Sequence, residues 1–136
     1  MDPAASEALF EEAVQHMKTM ACFERGSWPI VSASYPTLVV ELPHPTGYRR
    51  FFRFGCENWD ETAPSVTSVD ADGKVLPGEP RGSLWMGLKT GWGLCVPGTR
   101  EYHDHHPENP WENHRAGRSL ASIVMSVACH YRNGEP

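Results

Sequence analysis

The sequence predicts an α+β fold: a helix at each end, a meander of short antiparallel strands between them, and an irregular stretch before the second helix. Three observations predict it. Apolar residues recur at helical spacing only near the two ends, as Phe10, Val14, Met17 and Ala21 and then as Leu120, Ile123, Val124, Val127 and Tyr131. Between these stripes, strand-like runs alternate with turn residues. Gly and Pro number 12 each, which suits a loop-rich fold better than a helical bundle.

Each element follows in order. Ser6 can cap the first helix, with Glu7, Glu11 and Glu12 near its start and Lys18 near its end, as the helix dipole prefers. Strands are expected over residues 28–34, 38–42 and 48–54, separated by Tyr35-Pro36 and by Pro43-His44-Pro45-Thr46-Gly47. The third run interleaves Arg49, Arg50 and Arg53 with aromatics, as a strand with one wet face does. Residues 55–93 read as irregular, with Pro64, Pro77 and Pro80. Within them the Asp72-Gly73 turn separates Val66–Val69 from Val75-Leu76, and Ser119 is a cap for the last helix. There is no internal repeat. The length of 136 residues suits one domain over 1–136, with 1–5 and 132–136 as frayed ends.

Composition narrows the function classes. Lys and Arg total 12 and Asp and Glu 17, so the formal charge of −5 argues against nucleic acid or an anionic membrane as partner. The longest nearly apolar run, residues 120–129, is broken by Ser122 and Ser126 and is about half of the roughly 20 residues that a spanning helix needs. The first residues lack the basic and apolar parts of a signal peptide. Four cysteines (22, 56, 95 and 129) form no CxxC pair, so reduced thiols and a cytoplasmic location are expected.

The chemistry concentrates between Cys95 and His114. Four of the seven histidines (His103, His105, His106 and His114) fall there, together with Glu101, Asp104, Glu108 and Glu112. Zinc accepts thiolate, imidazole and carboxylate in one tetrahedral shell. In an extended stretch His103 and His105 would share a side, and in a tight turn His103 and His106 would converge. Cys95, Glu101, His103 and His106 are therefore the expected metal ligands, with His105 or His114 as substitutes and Asp104 or Glu108 to orient an imidazole. Competing readings are a solvated polar loop, and imidazoles that act as general bases or lower the Cys95 pKa without metal. Cys95 itself could ligate metal or act as a nucleophile. A buried structural thiol suits Cys22 and Cys129, in or beside the helices.

The order of features resembles the ubiquitin-conjugating (E2) fold, over about residues 6–131. Residues 54–69, with Glu57-Asn58-Trp59 and Ala63-Pro64-Ser65-Val66, look like the end of the third strand, the flap and the fourth strand. Leu94-Cys95-Val96 sits where that family carries its thioester cysteine, and Trp111 with the following helix resembles the family's tryptophan and helix. The family's His-Pro-Asn triplet is absent between Val69 and Cys95; His106-Pro107-Glu108-Asn109 is a lookalike on the other side of the cysteine.

A closer resemblance is to a small bacterial family with a Cys-Glu-His-His signature assigned to metal binding and associated with ubiquitin-like conjugation operons. Cys95, Glu101, His103 and one of His105 or His106 carry it, with Pro110-Trp111 following. This resemblance implies a metal site on an E2-like scaffold, and the donor types make zinc the expected cofactor. The resemblance also implies a ubiquitin-like protein or its activating enzyme as partner. Two alternatives remain: an E2-like transferase carrying a thioester on Cys95, and a non-catalytic adaptor using the flap and the exposed aromatics Trp85 and Trp92. A metalloenzyme acting on a small substrate is a further possibility, since an open zinc site is a catalytic one.

Overall fold

A computed structural model describes residues 1–75, 85–88 and 91–134, with side chains left aside at 85–88 and 91–94. The fold is α+β. Helix α1 (Pro3–Lys18) and a short α2 (Ala21–Glu24) lead into β1 (Ile30–Ser34), β2 (Thr37–Pro43), β3 (Arg49–Gly55) and β4 (Ser65–Val69). A hairpin of β5 (Trp85–Leu88) and β6 (Gly91–Leu94) follows, then α3 (Arg100–His105), two 3₁₀ turns, and α4 (Leu120–Arg132). The antiparallel sheet has the order β1-β2-β3-β4-β6-β5, so the meander is extended by the hairpin, docked beside β4. No described helix is long and apolar enough to cross a membrane.

Register explains the core. Leu38 faces Phe54, Val40 faces Phe52, and Phe54 faces Val66, so one face of three strands carries large apolar side chains in directly opposed pairs. All five are fully buried. Against them α4 lays Leu120, Ile123, Val124, Val127 and Tyr131, the stripe expected from the sequence, and α1 adds Phe10, Val14 and Met17. Truncating such a fully buried ring, as in Phe52→Ala, typically costs about 3–5 kcal/mol. The arginines of β3 are fastened locally: Arg49 pairs with Glu41, Arg50 donates to Ser68 Oγ at 2.9 Å, and Arg53 donates to the Gly73 carbonyl at 3.2 Å.

Several boundaries differ from expectation. Helix α1 starts at Pro3, capped by Asp2, whose carboxylate accepts from Ala5 N–H at 3.2 Å; Pro3 suits that first position because its missing N–H would have no partner there. Ser6 is instead buried within the helix, where its hydroxyl accepts from Tyr35 Oη at 3.0 Å. Residues 3–5 are helical, and the Met1 ammonium lies 2.7 Å from Glu61. Ala21 belongs to α2, not to the first stripe. Residues 85–88 and 91–93, within the stretch expected to be irregular, lie in the paired strands β5 and β6. The Asp72-Gly73 turn forms, with Gly73 at φ +80° and Asp70 Oδ1 accepting from Asp72 and Lys74 N–H. Val75 bridges Val69, while Leu76, Pro77 and Pro80 lie outside the described residues. The four cysteines are free, but the fully buried thiol is Cys56; Cys22 is half-buried and Cys129 exposed, contrary to the buried roles expected of them.

Candidate functional site

Past β6 the chain runs through half-buried Cys95 and buried Val96 into a Pro97-Gly98 turn. Gly98 has φ +100°, and a Cβ there would stand 3.2 Å from Ile123 Cγ1, so this turn needs glycine both for its backbone and for its packing on α4. Arg118 Nη1 donates to the Pro97 carbonyl at 3.3 Å and holds the turn from the other side. Thr99 then starts α3: its Oγ1 accepts from Tyr102 N–H at 3.3 Å and donates to the Val96 carbonyl at 2.7 Å.

Helix α3 places its side chains apart. Residues two positions apart on a helix point to different sides. Glu101 therefore turns toward β4 and His103 toward Trp111.

Glu101 is 7% exposed. Its Oε1 accepts from Val66 N–H at 2.8 Å, beside a β4–β6 ladder that is paired at Thr67 with Gly93. The carboxylate thus serves a strand N–H that the sheet itself leaves over. The second oxygen, Oε2, is buried without a hydrogen-bond partner among the described residues. Burial pushes the Glu101 carboxyl up to about 7, against the pull of the Glu101 and Val66 N–H groups and the Arg100 guanidinium; Asp104 adds to the rise. The Cys95 thiol is also held above its ordinary value, first by burial and then by the Glu101 carboxylate.

His103 is equally buried, and its tautomer is fixed by its partners. Nδ1–H donates to the Asn109 carbonyl at 2.7 Å, and Nε2 accepts from Gly98 N–H at 3.1 Å. Burial holds its pKa below the ordinary value; His114 and Arg118 reinforce this, while the Asn109 carbonyl and Asp104 oppose it. His114 lies beside it, ring centroids 5.2 Å apart, and its Nε2 is 2.6 Å from Asn109 Oδ1. The Asn109 amide also donates to Tyr102 Oη at 3.1 Å, so this one residue ties Tyr102, His103 and His114 together. Trp111 closes the cluster, 5.6 Å from the His103 ring, and donates from Nε1 to the Asp60 carbonyl at 2.9 Å.

The remaining histidines face outward. His106 stacks on Tyr102 at 4.4 Å and pairs through Nδ1 with Glu108 at 2.9 Å. His105 and Asp104 are exposed. Of the expected ligands, then, the structure buries Glu101 and sets His103 against His114, while Cys95 is half-buried and His105 and His106 sit at the surface. Among the described residues no group of three or more His, Cys, Asp or Glu side chains is gathered as a metal shell. Asn109, Gly98 and Val66 are the site residues that sequence reasoning missed; Asn109, close between Pro107 and Pro110 in a histidine-rich run, was the one with a local signal.

No protein-family model matches the chain, and no curated protein matches it. Function is read from the chemistry of the site itself. The side chains of Trp85 and Trp92, on which an adaptor surface was expected, lie outside the described residues.

Proposed function

We propose that this chain is a zinc-binding, E2-like domain that acts in a bacterial ubiquitin-like protein modification system, with a ubiquitin-like protein or its activating enzyme as partner. The observation that carries the metal reading is Glu101 Oε2, a carboxylate oxygen buried without a hydrogen-bond partner among the described residues, whose carboxylate also raises the Cys95 thiol. A cation supplies the positive charge that both groups lack, and ligation favours their deprotonated forms. Cys95 and Glu101 fit such an ion. His103 fits in tautomer, since a ligating imidazole commonly donates its other ring N–H to a carbonyl, but its Nε2 is engaged by Gly98 N–H. The E2-like part of the proposal rests on the order of elements: an N-terminal helix, an antiparallel meander, then a cysteine ahead of a buried Trp111 and a final helix.

The thioester reading of Cys95 has less behind it, because burial and a neighbouring carboxylate raise the thiol and lower its thiolate fraction. Zinc content of untagged protein, purified without chelator, tests the proposal. Wild type is expected to carry stoichiometric zinc, with Cys95→Ser, Glu101→Gln and His103→Ala each losing most of it while circular dichroism reports an intact fold. Trace zinc in wild type overturns the metal reading. A thiol-sensitive adduct with a ubiquitin-like protein that Cys95→Ala abolishes would favour the transferase reading instead.

A further inference from the structure

A second concavity lies where the C-terminal half of α4 meets the β2–β3 turn. It encloses about 470 Å³, within the range of small-molecule sites. Its lining is independent of the Cys95–His114 segment and of the function proposed above. Trp28, Pro43 and Met125 form apolar walls, with buried Ala128 among the lining residues.

Its walls are preformed. The Trp28 ring packs edge-on against Phe23 at 5.8 Å, and the Trp28 backbone N–H donates to the Cys22 carbonyl at 3.0 Å. His44 is held on both nitrogens: Nε2–H donates to the Gly134 carbonyl at 2.7 Å and Nδ1 is 2.9 Å from Thr46 Oγ1. With Nε2 bound to a carbonyl and Nδ1 to a hydroxyl, this imidazole has no free N–H to offer a ligand. Met125, by contrast, turns a large apolar side chain to solvent at 40% exposure, and a thioether adapts readily to a guest.

One lining side chain carries a fixed charge. Arg132, exposed in the last turn of α4, has no carboxylate partner among the described residues. A greasy cavity whose guanidinium has no carboxylate partner among the described residues matches a ligand with an apolar body and one anionic end. We propose that this cavity binds a small amphipathic carboxylate, its chain lying against Trp28, Pro43 and Met125 and its carboxylate on Arg132. The final carbonyls of α4 do not oppose this strongly, because Asn133 N–H caps the Cys129 carbonyl at 3.2 Å and Gly134 N–H the Tyr131 carbonyl at 3.2 Å.

Backbone-amide NMR titrations with sodium octanoate, 1-octylamine and 1-octanol, each below its self-association threshold, test the proposal on the full chain. Octanoate is expected to shift the amides of Trp28, His44, Met125 and Arg132 saturably, and to bind about tenfold more tightly than octylamine. Arg132→Ala should weaken octanoate about tenfold and leave octanol unchanged. Met125→Glu, an exposed substitution that the fold tolerates, should abolish both. Non-saturable shifts, equal affinity for octanoate and octylamine, or no effect of Arg132→Ala would each overturn it. So would a concentration-dependent dimer in sedimentation that Met125→Glu dissociates, because the occupant would then be a second copy of this chain.

Discussion

Replacing Glu101 with Gln isolates the energetic cost of holding a carboxyl in that position. In the folded chain the group ionises near 7, against an ordinary 4.5. Between those values the unfolded chain has released a proton that the folded chain still holds, so raising the pH favours unfolding. The stability attached to protonated Glu101 is complete below the unfolded value, declines through the interval, and is lost above about 7. At ~1.4 kcal/mol per pH unit, the loss between about pH 5 and about pH 8 is about 2.5 kcal/mol, a sizeable share of a small domain's stability. Gln keeps the carbonyl oxygen that accepts from Val66 N–H, and its amide stands where Oε2 already lacks a partner. That amide's own cost does not vary with pH, so it cancels on comparing one pH with the other. Urea denaturation of chelator-treated wild type and Glu101→Gln, followed by tryptophan fluorescence in reducing buffer, gives the stability gap at each pH. The gap should move by about 2.5 kcal/mol in favour of Gln on going to the higher pH. A gap that stays constant would refute burial of an ionisable Glu101 as the source of the effect.

His103 should titrate below the ordinary imidazole value of 6.5 when its Cε1–H resonance is followed by NMR. The unfolded imidazole then gains its proton first on acidification, so this residue lowers stability as pH falls; a midpoint above the ordinary value contradicts the buried placement. Trp111→Phe keeps an aromatic ring against Trp59 and His103 but deletes the Nε1–H donor to the Asp60 carbonyl. It should cost about 1–2 kcal/mol by denaturant unfolding, and an unchanged midpoint would show that the bond contributes nothing.

Where local pattern and tertiary packing agree, the fold was legible. The stripe from Leu120 to Tyr131 behind a serine cap became α4, and the apolar runs around Val40 and Phe52 became central strands. Where a glycine-rich run hides its pairing, it was not: Gly87, Gly91 and Gly93 interrupt any apolar alternation, and the hairpin β5–β6 is defined by its partner strands. Helix α3 was hidden for another reason. Tyr102, His103, Asp104 and His105 are all modest helix formers, and the helix is stabilised by the Thr99 cap and by bonds to the segment before β4, such as Arg100 N–H to the Pro64 carbonyl at 2.8 Å. The start of α1 was misread because Ser6 and Asp2 both have capping chemistry, and the Tyr35 hydroxyl that occupies Ser6 lies 29 residues away. In the site, the donors themselves were visible. Which of them face inward was not, because that depends on α3 being helical.

Glu101 is where fold and chemistry meet. Its Oε1 fastens α3 to a β4 N–H 35 residues away, a structural task that a neutral Gln performs equally well with the same carbonyl geometry. For folding alone, then, the carboxylate is the worse choice, since its second oxygen is buried without a donor among the described residues and its charge is disfavoured there. Local rules of this kind are broken in natural chains where a site has work to do. The Cys95 thiol is a second group whose charged form burial disfavours, and the Glu101 carboxylate raises it further. Deprotonated together, the two groups raise stability only when something positive joins them. The described residues bring no cation there beyond the Arg100 guanidinium, which is already 3.6 Å from Glu57. On the proposed reading that missing charge is the metal, and the instability of the empty pair is the free energy that its binding recovers.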